Sequence, residues 1–169
     1  MPQSSTRDSM KQLITLRLGA AGFGQHWKHC DLVANYLATF TSELLNKSES
    51  QENLVSTVLN ELLEVVFRRN SGAGEIGITL SGDKKQLVVE ILVPVGEADR
   101  EFYTEMAQLV RRQDRDELHT QQLAEPQAEE HNLSLSLLQL ATVYEAILGV
   151  IDVGDGNSVR LELPFPVEP

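Results

Sequence analysis

One cysteine, Cys30, is all that this 169-residue chain holds. No internal disulfide framework can form, and a lone thiol suits a reducing compartment. Basic residues are scarce as well: 14 Lys and Arg stand against 25 Asp and Glu, a formal net charge of −11. Phosphate backbones call for a basic face, so the balance argues against nucleic acid as a partner. It argues equally against an anionic membrane surface. No uninterrupted apolar run approaches the length that crosses a bilayer. Met1–Asp8 is polar and has no apolar core of a signal peptide, so a cytoplasmic location is expected. What remains is a hydrophobic content of 41% and a charged content of 23%, ordinary for a soluble globular protein. The length fits one domain with a proper core.

The stretch Gln51–Asn70, QENLVSTVLNELLEVVFRRN, is the strongest local signal. Leu54, Val58, Leu62, Val65 and Val66 recur at helical spacing and predict one buried face. Asn60, Glu61 and Glu64 stand beside it. Carboxylates and amides there are what a nucleotide or metal site uses, and equally what a solvated helix shoulder looks like. Upstream, residues 1–10 read as a frayed tail and Lys11–Leu18 as a strand. Gly19–Gln25, GAAGFGQ, reads as a glycine-rich turn. Gly19 and Gly24 have phosphate-loop spacing, but Gln25 and His26 occupy the positions where Lys and Ser or Thr would hold phosphate and magnesium, so a plain connection is expected. A helix over Cys30–Leu45 should bury Val33, Leu37, Phe40 and Leu44. Leu32 and Tyr36 flank that stripe and either complete the core or form a homodimer seam. His26, His29 and Cys30 fall within one turn, but no fourth ligand and no zinc spacing accompany them, so no metal is expected. Ser50, with Glu52 and Asn53 nearby, offers N-cap chemistry to the next helix.

Glycines near 70–74 end that helix. Glu75–Leu80 and Gln86–Val93 read as a hairpin turning at residues 81–84. Glu101–Val110 predicts a helix with Phe102, Met106, Leu109 and Val110 on one face. The polar stretch 111–132 reads as a candidate lid, or as a helix extension followed by a solvated loop. Leu133–Leu148 is apolar nearly all round and predicts a buried helix closed by Gly149. Val150–Val153 and Ser158–Leu163 read as strands, with Pro164–Pro169 as an extended tail. Hairpins with helices gathered to one side give a two-layer α/β sandwich, of the α+β kind, with a mixed, mostly antiparallel sheet of about four to six strands.

Three pieces of this order resemble the GHKL or Bergerat ATPase-like family, which includes histidine-kinase catalytic domains and anti-sigma serine kinases. Val58–Glu64, VLNELLE, resembles the asparagine-box helix. Leu137–Gly149, LLQLATVYEAILG, is similar to the helix after the second glycine box. Ile151–Pro164, IDVGDGNSVRLELP, resembles the closing hairpin. The resemblance covers about residues 51–164 of one domain over 11–169, and is nearest to small stand-alone bacterial regulators. It implies a helix Asn that ligates magnesium, a Glu one turn earlier that acts as base, an Asp that selects adenine, and glycines that admit phosphate to a helix N-terminus.

Carried over residue by residue, Glu61 matches the base. Val65 stands at the magnesium Asn, and Val has no oxygen for a hard cation. Glu90–Glu97, EILVPVGE, has no Asp and one Gly. Ser134 and Ser136, within LSLSL, replace the glycines before the last helix. The expectation is therefore a regulatory binding module in bacterial signalling. Asn60, Glu61, Glu64, Ser134 and Ser136 would be a nucleotide-binding remnant, with no cofactor. The implied partner is a signalling protein such as a STAS-domain antagonist or a response regulator. The alternative is an ATP- and magnesium-dependent serine/threonine kinase of the anti-sigma type, with Glu61 as base.

Overall fold

Alternation along the strands sets the architecture. The computed structural model describes residues 10–23, 25–69, 72–124 and 129–167. The expected tail over 1–9, Gly24 of the glycine-rich turn, Asn70 and Ser71 of the helix stop, and 125–128 of the candidate lid lie outside the described residues. Five strands, β1 Gln12–Gly19, β2 Glu75–Gly82, β3 Gln86–Pro94, β4 Gly149–Asp152 and β5 Ser158–Pro166, form one sheet in the order β1-β2-β3-β5-β4. All four pairings are antiparallel. Leu16, Ile78, Ile91, Leu161 and Val150 stand in register as one row across every strand. Ile76, Ile78 and Leu80 of β2, with Leu87, Val89, Ile91 and Val93 of β3, turn inward and are buried. The opposite face carries Thr15, Arg17, Thr79, Glu90 and Arg160, and among the described residues no second layer covers it. Period-two side-chain direction produces this one-sided sheet.

Helices cover the inner face: α1 Ala20–Phe23, α2 Lys28–Leu45, α3 Glu49–Arg69, α4 Glu97–Leu109, α5 Arg115–Ala124 and α6 Glu129–Val143. The expected α+β two-layer sandwich is what the chain forms. α3 buries Val55, Val58, Leu59, Leu62, Leu63, Val65 and Val66, each worth about 1.5–3 kcal/mol of transfer free energy. Its start is a reciprocal cap at Ser48, two residues earlier than the Ser50 that the sequence indicates. Gln51 N–H donates to Ser48 Oγ at 3.3 Å, and Ser48 N–H donates to Gln51 Oε1 at 2.9 Å.

Several expectations need correction. The glycine-rich turn is partly a one-turn helix, α1, whose Ala20 and Phe23 enter the core. α2 turns a different face inward: Cys30, Ala34, Leu37, Ala38 and Thr41 are buried, Val33 and Phe40 are half-buried, and Leu44 is exposed. Small side chains let α2 lie close to its neighbours, so the larger ones are displaced to its flank. α6 stops at Val143 rather than running to Leu148. Glu145 adopts a left-handed conformation at φ 54, and Ala146 N–H bonds back to the Leu140 carbonyl at 2.9 Å. That closes the last turn as a glycine cap would. Tyr144, just past the helix end, is half-buried and packs against the edge of the core. Residues 164–167 of the expected tail are not loose: β5 continues to Pro166, and Phe165 and Val167 are buried, while 168 and 169 lie outside the described residues. Within 111–132, residues 115–124 are the helix α5, lying on α6.

Candidate functional site

The period that buries one side of α3 places Asn60, Glu61, Glu64 and Arg68 together on its outer ridge, none of them fully buried. Asn60 Nδ2 donates to Glu64 Oε1 at 3.1 Å, one turn along. Asn60 Oδ1 is buried without a hydrogen-bond partner among the described residues. Glu61 instead faces α6 and accepts a hydrogen bond from the Ser136 hydroxyl. Ser134, two residues earlier and so on another side of α6, is buried with its Oγ 3.2 Å from Gln122 Oε1 of α5. The structure thus brings Glu61 and Ser136 together, keeps Asn60 with Glu64, and turns Ser134 toward α5. Gln122 was missed by the sequence reading, since a Gln within a polar stretch carries no spacing signal.

Burial holds the Glu61 carboxyl above the usual carboxylate range. The Ser136 hydrogen bond opposes that shift, the Glu64 charge adds to it, and Arg68 opposes it. The consequence for stability has a definite sign. Below the unfolded pKa both states are protonated and nothing is lost. As pH rises the unfolded carboxyl ionises first, so stability falls until the folded group ionises too. Glu61→Gln keeps the shape without the charge. It is expected to raise stability at pH 7 by about 0.5 kcal/mol and to flatten the pH dependence just above the ordinary Glu pKa. Chemical denaturation at pH 4.5, 6 and 7 checks this; a loss at pH 7 would refute it.

Val65 is 1% exposed and lies in the core, so the position that the family resemblance assigns to a magnesium ligand offers neither oxygen nor access. Of the arginines that could draw phosphate, Arg68 is exposed, while Arg69, Arg111 and Arg112 are engaged. Arg69 pairs with Asp99 at 2.8 Å, its guanidinium 4.3 Å from the Phe102 ring centroid. Arg111 Nη1 donates to the Ala107 and Leu148 carbonyls at 2.7 Å each, tying α4 to the start of β4. Arg112 grips Asp114 through two hydrogen bonds of 2.9 and 2.7 Å. The residues present do not fit a magnesium nucleotide.

The histidine–cysteine cluster also separates. His26 and His29 stack edge to face with ring centroids 5.4 Å apart, while Cys30 is wholly buried. Burial, then the charge of Glu64, pushes its thiol up to about 12, so at neutral pH it stays protonated and is a poor nucleophile. Among the described residues no group of three His, Cys, Asp or Glu could hold a metal ion, and no helix is long and apolar enough to cross a membrane.

No protein-family model matches the chain, and no curated protein matches it at a significant level. A solved structure does share its fold: one chain of the SiaB–SiaC complex from Pseudomonas aeruginosa, at 14% identity and a TM-score of 0.62. The match spans 95% of this chain and 94% of that one.

Proposed function

We propose that this protein is a regulatory binding module of bacterial signal transduction, acting by protein–protein contact on a degenerate GHKL-type fold without ATP hydrolysis. The observation that carries the binding part is the fold shared, nearly end to end, with one chain of a two-protein complex. The remnant site supports the loss of catalysis. Its base candidate Glu61 is bonded to Ser136, and Val65, at the magnesium-ligand position, is core. A signalling protein such as a STAS-domain antagonist or a response regulator is the partner class this reading favours, in the cytoplasm. One observation favours the second reading, a serine/threonine kinase: a raised carboxyl pKa is what a general base needs.

Calorimetry separates the two. No heat of binding is expected from ATP with magnesium up to millimolar concentration, and no phosphoryl transfer. A micromolar dissociation constant abolished by Glu61→Ala would replace the binding module with the kinase. Affinity capture of the tagged chain from its native cell should return one protein in near-equal amount; recovery of the bait alone would count against the module.

A further inference from the structure

Among the described residues, the outer flank of α2 carries three exposed large apolar side chains. Leu32 is 64% exposed, Tyr36 55% and Leu44 52%. Tyr36 and the half-buried Phe40 stack on successive turns with centroids 6.3 Å apart. With Phe40 between them, Leu32, Tyr36 and Leu44 form a continuous strip at four-residue intervals, unlike the scattered exposed residues of ordinary surfaces. The polar groups on the other shoulder of α2 are already satisfied within the chain. Asn35 bonds Asp31 and Ser56, and Thr39 bonds Glu52.

Two features identify what covers the strip. The first is its order along the helix. His29, Leu32, Tyr36, Phe40 and Glu43 fall at spacings of three and four and share one face. The pattern reads symmetrically about Tyr36: Leu32 and Phe40 lie four residues to either side, and His29 and Glu43 seven. An antiparallel copy of the helix therefore sets Tyr36 against Tyr36, Leu32 against Phe40, and the Lys28–His29 end against Glu43. The second is charge. α2 carries Lys28 at its start and Glu43 near its end, and with Asp31 the helix sums to −1. In a protein of net charge −11, two copies meet across it with little repulsion and with opposite charges facing at each end.

We infer that the α2 face is a self-complementary seam joining two copies of this chain about a twofold axis at Tyr36. This goes beyond the binding role proposed above and stands independently of it. The size of the surface sets the strength. A helix of 18 residues is about 27 Å long and about 10 Å wide, a footprint of roughly 300 Å². A standard interface buries about 800 Å² per partner. The groove beside the helix, lined by Leu18, Phe23 and Val33, adds to the footprint. The seam stays modest, with a dissociation constant on the order of 10–100 μM.

Sedimentation equilibrium across 5–500 μM at low salt tests the seam on the full chain, with circular dichroism as a check on folding. The wild type should pass from monomer to dimer. Tyr36→Glu should remain monomeric with an unchanged spectrum. Glu43→Lys faces the partner's basic end and should weaken association about tenfold. Lys28→Glu combined with Glu43→Lys should recover it to within about threefold, because the swap restores opposite charges across the axis. A monomer mass throughout would overturn the inference. So would a dimer indifferent to Tyr36→Glu, or a double swap as weak as the single one.

Discussion

Phe165→Ala is expected to cost about 3–5 kcal/mol, the largest effect of any single substitution considered for this chain. The ring is 1% exposed on β5, opposite Leu87 of β3. The backbone beyond it is held as well, since Val167 N–H donates to the Lys85 carbonyl at 2.8 Å. Truncation leaves a cavity on the inner face of the sheet, and the paired backbones of β3 and β5 cannot move in to fill it without breaking their register. For a domain of this size the melting temperature should fall by about 6–20 °C. Urea denaturation followed by circular dichroism measures the loss. A cost below about 1 kcal/mol would mean that 164–167 is an appendage and not the end of a central strand.

Leu62→Ala comes next, at about 2–5 kcal/mol. Leu62 is wholly buried on the face of α3 that rests on the sheet. The exposed Leu44 of α2 is the control, and its replacement by Ala should stay within about 0.5 kcal/mol in the monomer. Equal losses at the two positions would deny that α3 is the central helix of the layer. Both proteins should unfold in one transition, so that midpoint and slope can be compared directly.

The sequence was most legible where one period dominates. α3 keeps a 3.6-residue repeat over five turns, and β2 and β3 alternate cleanly, so all three were found and α3 was correctly faced. α2 was found but turned the wrong way. Its inward side is built from Ala34, Ala38 and Thr41, and hydrophobicity alone prefers the larger Phe40 and Leu44. The end of α6 had no signal because the residue that adopts the left-handed turn is Glu145, not glycine, within a run that stays apolar. In β5 the alternation Val159, Leu161, Leu163, Phe165 was present, but Pro164 suggested a stop. β4 pairs only with residues 159–162 of β5. Both Pro164 and Pro166 thus lie past its end, where a missing N–H deprives no neighbour of a bond. Of the candidate site, the ridge Asn60, Glu61 and Glu64 followed from periodicity. The meeting of Glu61 with Ser136 did not, because it depends on how α6 lies against α3, and no local pattern encodes that.

The pairing of β3 with β5 also governs what happens while the chain is being made. Val89 and Leu163 are register partners in the middle of the sheet, yet 74 residues separate them in sequence. At roughly 5–20 residues per second, a ribosome needs about 4–15 s to travel from one to the other. Through that interval β1, β2 and β3 can pair, but β3 presents a bare edge backed by Leu87, Val89, Ile91 and Val93, long enough to recruit a strand from another nascent chain. The fold therefore asks for protection of that edge until synthesis is nearly finished, and its yield in the cell should depend on chaperone supply more steeply than the stability of the finished molecule suggests.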